Sequence, residues 1–316
     1  MKKILLCLSL ALVGSVAHAA YPDRPVKVVI PFGPGSSTDL IMRILAAPVE
    51  KELGQPVVIE PKPGANGAIS AAYVARAAPD GYTLLIGSGS PMAAVPYMQK
   101  DPPYDPIKDF APVTDIGRYT VFLYVNSSVP ANTFQEFVDH VKANPGKVSY
   151  ATGNASGIVA FAQLNSLAGL DMLHVPYKSA PPAMVDLVAN RVQAMMDPPS
   201  TGLNYVKEGR LRALATTLHM RSPLLPDVPT LVEAGLTDFT ISNWMGLVAP
   251  AGTPRPIIDR LNEAFRKALE SPQIKEQLAT HAFLPNPSSP EEFGAFIEEQ
   301  KTSYADLLRA AGVEPQ

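Results

Sequence analysis

Between a short apolar run and a stretch of helical period lies Pro31-Phe32-Gly33-Pro34-Gly35-Ser36-Ser37-Thr38-Asp39, which places Gly35 to Thr38 at a helix N-terminus. The first backbone N–H groups of a helix have no intrahelical acceptor, and the helix dipole favours negative charge there, so this loop suits a carboxylate or a phosphate. Ser36, Ser37 and Thr38 add hydroxyl donors, and Phe32, Pro34, Gly35 and Asp39 complete the candidate set. A plainer reading has Ser36 or Ser37 capping the helix and Asp39 complementing its dipole. The position at the carboxyl end of a first strand, where open α/β sheets bind ligands, favours the anion site.

Tyr150-Ala151-Thr152-Gly153-Asn154-Ala155-Ser156-Gly157 repeats the design: a strand, a small polar turn, then a helix expected to begin near Ile158. Thr152, Gly153, Asn154, Ala155, Ser156 and Gly157 are therefore candidates to hold a second polar group of the same ligand. Two equivalent loops, one per predicted lobe, point to a shared cleft. Ser88, just past a strand expected over Tyr82 to Gly87, joins the set. So does Asp197, which closes the Met195-Met196 strand end and either accepts a ligand hydrogen bond or caps a turn before Pro198.

Other chemistry finds less support. Gly33-Pro34-Gly35-Ser36-Ser37-Thr38 nearly spells GxGxxG, with Glu60 where a ribose-binding acid would sit. Thr38 replaces the third glycine, however, and Pro34 stiffens the turn, so no dinucleotide and no other cofactor is expected. Gly87-Ser88-Gly89-Ser90-Pro91 and Gly153-Asn154-Ala155-Ser156-Gly157 both miss the GxSxG spacing. His140, His174, His219 and His281 stand alone without HxH or HxxxH pairing, which argues against a metal site. His174 is expected to be structural near the cleft.

Stepwise alternation of Val- and Ile-rich runs with helical segments predicts an α/β fold of two lobes, each a mostly parallel sheet flanked by helices. In the first lobe, strands are expected at Val26 to Pro31, Pro56 to Glu60 and Tyr82 to Gly87, with a helix from Thr38 to Leu53 ended by Gly54. In the second, strands are expected at Val121 to Val125, Val148 to Thr152, Met172 to Val175, Val192 to Met196 and Leu211 to Thr216. Helices are expected there at Phe134 to Ala143, Val159 to Ala168, Ala183 to Ala189 and Leu203 to Glu208. Thr253 to Leu269 carries one apolar stripe, and a last helix starts at Ser289, which has capping-box spacing to Glu292. If these later helices return to the first lobe, the chain crosses between lobes twice and the crossings form a hinge. The sole tryptophan, Trp244, is expected in packing near the second crossing.

The segment 1–20 reads as a cleaved secretory signal: Lys2 and Lys3, an apolar run from Ile4 to Val16, then Ala17-His18-Ala19. The expected divisions are thus 1–20 signal peptide, 21–122 first part of lobe 1, 123–243 lobe 2, and 244–316 a return to lobe 1 with C-terminal helices. Cleavage removes Cys7, the only cysteine, and leaves 24 basic against 29 acidic residues, a net charge near −5. Mild acidity without a basic run or stacking aromatics excludes the electrostatic footprint of nucleic-acid binding. Proline, at 33 of 316 residues, is about twice its usual share, yet no glycine repeat accompanies it, so it punctuates a globular fold.

The same residues resemble the Bug-type periplasmic solute receptors of tripartite tricarboxylate transporters. The landmarks run through nearly the whole chain after the signal: Tyr21-Pro22-Asp23-Arg24-Pro25, Pro31-Phe32-Gly33-Pro34-Gly35 with Asp39, Gly64-Ala65-Asn66-Gly67, Pro79-Asp80-Gly81-Tyr82-Thr83-Leu84-Leu85, His174-Val175-Pro176-Tyr177-Lys178, Pro226-Asp227-Val228-Pro229-Thr230 and Ala249-Pro250-Ala251-Gly252-Thr253-Pro254. The resemblance implies a periplasmic Venus flytrap that captures a small mono- or dicarboxylate, aliphatic or aromatic, delivers it to membrane permease subunits, and catalyses nothing. It also implies a carboxylate held by backbone amides of Phe32 to Asp39, with Thr152 to Gly157 reading the far end. A usual downstream His-Leu pair either appears as Gln163-Leu164 or is absent, Ser179 follows Lys178 where glycine is common, and Ser36 stands where a second glycine is frequent. A monomer is the default for a receptor that must hinge. The competing class is a secreted hydrolase or lyase acting on a small organic acid.

Overall fold

The computed structural model describes residues 21–315 of the 316-residue chain, so the signal-type segment and Cys7 lie outside the described residues. Strand β1 (Val26–Ile30) is flanked by β2 (Val57–Pro61) and β3 (Thr83–Ser88), both parallel to it. Apart from Lys27 it is buried along its length, as expected for a strand covered on both faces. Helix α1 (Ser37–Leu53) starts at the N-cap Ser36, whose hydroxyl accepts from Asp39 N at 3.3 Å, and ends at Gly54 with φ 75°. Helix α2 (Ala68–Ala75) leads to β3, and beyond β3 a wide turn over Ser90–Ala94 runs into α3 (Val95–Met98).

Strand β4 (Phe110–Tyr119) then leaves the first sheet, and after Thr120 and Val121 the chain enters the second as β5 (Phe122–Asn126). The second lobe continues through α4 (Phe134–Ala143), β6 (Ser149–Thr152), α5 (Ala155–Ala168), β7 (Leu173–Pro176), α6 (Ala180–Val188), β8 (Ala194–Asp197), α7 (Pro199–Lys207) and β9 (Leu211–Thr216). Its strand order is β7-β6-β8-β5-β9. The chain returns through β10 (Asn243–Pro250), followed by α8 (Arg255–Glu270), α9 (Pro272–Ala279), β11 (Phe283–Pro285) and α10 (Pro290–Ala310). The first sheet thereby acquires the order β11-β4-β10-β3-β1-β2.

Neither sheet is mostly parallel, contrary to the sequence expectation. Strands β1, β2 and β3 are parallel, but β10 is antiparallel to both β3 and β4, and β11 is antiparallel to β4. In the second sheet β6 is parallel to β7 and β8, while β5 is antiparallel to β8 and β9. Chain continuity through the hinge explains the difference. A strand that carries the chain out of a lobe and the neighbour that brings it back run in opposite directions, as β4 and β10 do in one lobe and β5 and β9 in the other.

Strands β4 and β10 also escaped the sequence reading, because Pro112, Asp115 and Gly117 in β4 and Asn243 and Gly246 in β10 are poor strand residues. They are accommodated at two irregularities in the pairing, between Met245 and Gly246 and between Leu247 and Val248. Asp115 is buried but is met by Arg118 at 2.7 Å and by Asn286 Nδ2 at 2.8 Å.

The predicted capping box forms, with Ser289 and Glu292 bonding reciprocally, and starts α10. Helix α10 packs on β4 and on α5, so it touches both lobes beside the strand crossings. One buried apolar cluster accordingly runs from the first sheet to one face of the second, through Phe293, Tyr304 and Leu308. The other face of the second sheet packs separately around Phe122, Tyr124, Met184 and Leu187.

Candidate functional site

A cavity of about 70 Å³ lies between the sheets, where the carboxyl ends of β1 and β3 meet those of β6 and β8. With roughly 10–15 Å³ sufficient for one water, it holds several waters or one small solute. Of the sequence candidates, Phe32, Ser36, Ser37, Thr38, Ser88, Gly153, Asn154, Ser156, Gly157 and Asp197 line it. Pro34, Gly35, Asp39, Thr152 and Ala155 do not, and each has other work.

Asp39 is buried and accepts from Gly35 N and from Arg43 Nε, both at 3.0 Å, so it closes its own loop. Gly35 supplies the positive φ of 79° that the turn requires, and Pro34 precedes it. This arrangement presents the first turn of α1, with Ser37 and Thr38, to the cavity.

Helix α5 starts at Ala155, three residues earlier than expected, because Asn154 caps it by accepting from Gly157 N at 2.9 Å. The Ala155 N–H is therefore turned to Ser90 Oγ at 3.1 Å across the lobes, while Ser156 and Gly157 line the cavity. Thr152 Oγ1 lies 2.7 Å from His174 Nε2 behind the loop. The His174 ring stacks on Tyr150, and its burial lowers its pKa, because desolvation disfavours the charged imidazolium. Its expected structural role matches that setting.

Two more helices begin at the same place. Ala180, the first residue of α6, and Pro198, the N-cap of α7, both line the cavity. The N-termini of α1, α5, α6 and α7 thus converge on one small volume from both lobes. Their dipoles point positive ends at the cavity and so favour negative charge there without a cationic side chain, although Ala155 N and Gly157 N of α5 are already bonded to Ser90 and Asn154, and Pro181, Pro182, Pro198 and Pro199 bring no N–H to the starts of α6 and α7. Among the described residues that line it there is no Lys, Arg or His.

Sequence reasoning missed Tyr119, Val121, Asn243 and Trp244, which come from the crossing segments, and Ala160, Ala180, Met196 and Pro198 from the second lobe. The predicted second crossing was the one available signal for Trp244. Its Nε1 and Ser88 Oγ are buried without a protein partner, and both residues line the cavity. Buried polar atoms of this kind normally find water or solute. Asp197 is 5% exposed, and burial pushes its pKa up to about 7, with the Thr201 hydroxyl partly opposing the rise.

Beside the α10–α5 packing, polar contacts join the lobes around this volume: Ser37 Oγ lies 2.6 Å from Ser200 Oγ, and Ala155 N donates to Ser90 Oγ.

Residues 41–313 match the family model described as the tripartite tricarboxylate transporter family receptor. The chain belongs to this receptor family. It is 35% identical over 305 residues to the protein BugT of Bordetella pertussis strain Tohama I, covering 95% of this chain and 93% of BugT. Among solved structures it is similar to the periplasmic binding protein BugD, with a TM-score of 0.88 and 34% identity over 94% of this chain and all of BugD. It is equally similar to an R. palustris protein with adipate, with a TM-score of 0.89 and 30% identity over 94% of this chain and all of that one. The family and these neighbours are binding proteins, and the two-lobe fold expected from sequence is the fold they share.

Proposed function

We propose that this receptor closes its lobes on a small dicarboxylate in the periplasm and presents it to the permease subunits of its transporter. One carboxylate rests on the first turn of α1, against Ser36, Ser37 and Thr38, and the other on the first turn of α5, at Asn154, Ser156 and Gly157. The observation that carries this reading is the convergence of four helix N-termini from both lobes on a cavity with no cationic lining. Adipate in a similar structure supports the choice of a dicarboxylate.

Shifting a population from 1:99 to 99:1 closed takes about 5.5 kcal/mol of differential affinity. Two charge-assisted grips of roughly 1.5–3 kcal/mol each supply much of it. The lobes, taken as 21–122 with 244–316 and as 123–243, move about the β4–β5 and β9–β10 crossings. The receptor acts as a monomer and releases its solute unchanged.

Thermal denaturation in the presence of adipate, succinate, benzoate and acetate tests the reading. At one hundred times Kd a ligand that binds only the folded state adds about 2.7 kcal/mol, which raises the melting temperature by several degrees. A rise with the dicarboxylates, and unchanged solute recovered afterwards, is the expected result. A folded protein that responds to none of the four acids would remove the basis for the assignment.

The amide cradle also makes a negative prediction about cations. Lys178 is exposed and outside the lining, and Arg118 is held by Asp115 and lies over the Phe296 ring at 4.1 Å. Lys178→Ala and Arg118→Met should each keep the dicarboxylate Kd within about tenfold by calorimetry, since neither removes a grip. Complete loss in either variant would transfer the anion-holding role to that cation.

A further inference from the structure

We propose that Asp197 is a specificity-determining residue that meets the solute as a neutral carboxylic acid, donating a hydrogen bond to a solute carboxylate, so that above pH 7 closure takes up to one proton from water. The inference rests on reading the cavity as a carboxylate site. It concerns protonation only, with no covalent bond made or broken.

The setting of Asp197 deprives an ionised carboxylate of partners. It ends β8 opposite Phe122 of β5 and lines the cavity, and among the described residues its carboxyl group's one hydrogen-bond partner is the Thr201 hydroxyl. The next two residues, Pro198 and Pro199, have no N–H, so the nearest amides that start α7 cannot turn to it.

The neighbouring elements bring no cation either. From β5, Tyr124 places a buried, unpartnered hydroxyl near it, held neutral by burial first and by the Asp197 charge second. From β6, Tyr150 is stacked between Phe161 and His174, and α5 has no ionisable side chain. On α6, Asp186 is bound to Arg191 and Tyr177; on α7, Tyr205 lies under Arg210 and Lys207 is exposed. Across the cavity, Tyr119 donates to Thr38 Oγ1. Burial, partly opposed by the Thr201 hydroxyl, lifts the Asp197 pKa to about 7, and a solute carboxylate in the same small volume lifts it further.

The consequence is discrimination. An ionised Asp197 repels a second carboxylate at short range, whereas the acid form gives it an O–H···O⁻ bond, among the stronger hydrogen bonds. An ammonium-bearing solute would have the opposite preference.

Calorimetric titration of the full receptor with adipate at pH 6.5, 7.5 and 8.5 tests this, since the probe itself is doubly ionised across that range. In the closed cavity Asp197 loses its proton above about pH 7, and an open receptor holds it no more tightly, so Kd should rise between roughly 20- and 100-fold from pH 6.5 to 8.5. Titrations in buffers of different ionisation enthalpy should show close to one proton taken up per solute at pH 8.5. Asp197→Asn should flatten the pH profile.

A flat wild-type profile without proton uptake overturns the inference while leaving the carboxylate site standing. So does a preference for aspartate over succinate that disappears in Asp197→Asn, which would make Asp197 an ionised partner for ammonium. Failure of every dicarboxylate to bind at any pH ends both readings. The proton count on the wild-type receptor decides the matter where the Asn variant does not fold.

Discussion

Gly153→Ala is expected to weaken dicarboxylate binding by about 10- to 100-fold while leaving the circular dichroism spectrum unchanged. The backbone at Gly153 needs no unusual φ, so the constraint is one of space. A methyl group there would lie 2.7 Å from Ser179 C and 2.8 Å from Ala180 Cα, and would also strike Ala180 N. All three are backbone atoms and cannot rotate aside. Either the loop Thr152 to Gly157 or the start of α6 must move, and both bring helix N-termini to the cavity. Losing one charge-assisted grip of roughly 1.5–3 kcal/mol corresponds to that range of Kd. Calorimetry with the tightest of the tested dicarboxylates measures it. Wild-type affinity in a folded Gly153→Ala receptor would show that the juxtaposition of loop and α6 is dispensable.

Phe293→Ala is expected to cost about 3–5 kcal/mol of stability, the range for emptying a buried aromatic site. The ring is fully buried on α10, edge-on to Trp244 with centroids 5.9 Å apart, and it covers Gly246 of β10. For a chain of this size, 2–4 °C per kcal/mol makes the loss of melting temperature about 6–20 °C.

The same packing predicts non-additivity. A methyl group on Gly246 would meet the Phe293 ring at 2.6 and 2.7 Å, so Gly246→Ala alone is overpacked. In the Phe293→Ala background part of that penalty should vanish, and a double-mutant cycle of urea denaturation measures the coupling. Additive losses would mean that Phe293 does not determine the small residue at 246. Because Trp244 lines the cavity and rests on Phe293, the single variant should also bind dicarboxylate more weakly.

The two cradles were legible because their information is local. A strand, a turn of small hydroxylated residues and a helix with a capping side chain occupy some dozen consecutive residues. The Ser36 cap and the Gly54 stop of α1 stand where the residue types place them. The same local logic failed at finer grain. Asn154 is also a strong cap, and giving it that role moves the start of α5 from Ile158 to Ala155. Ala155 then spends its N–H on Ser90 of the other lobe, a contact no local pattern encodes. Asp39 looked like a ligand group because of its position, but its two bonds, to Gly35 and Arg43, lie within its own loop and helix.

Residue order alone determined the alternation of strands and helices, the caps, the two donor loops and the membership of a receptor family, since each depends on side chains within a few positions of one another or on motifs in sequence. Tertiary structure decided which loops face one cavity. It also decided that Tyr119 and Trp244, from strands 125 residues apart, share its wall, and that both sheets are mixed. Above all it decided the state of Asp197. A carboxyl group followed by two prolines is unremarkable in a chain. Only the fold buries it away from cations in the cavity wall, which raises its pKa and underlies the proton uptake proposed above.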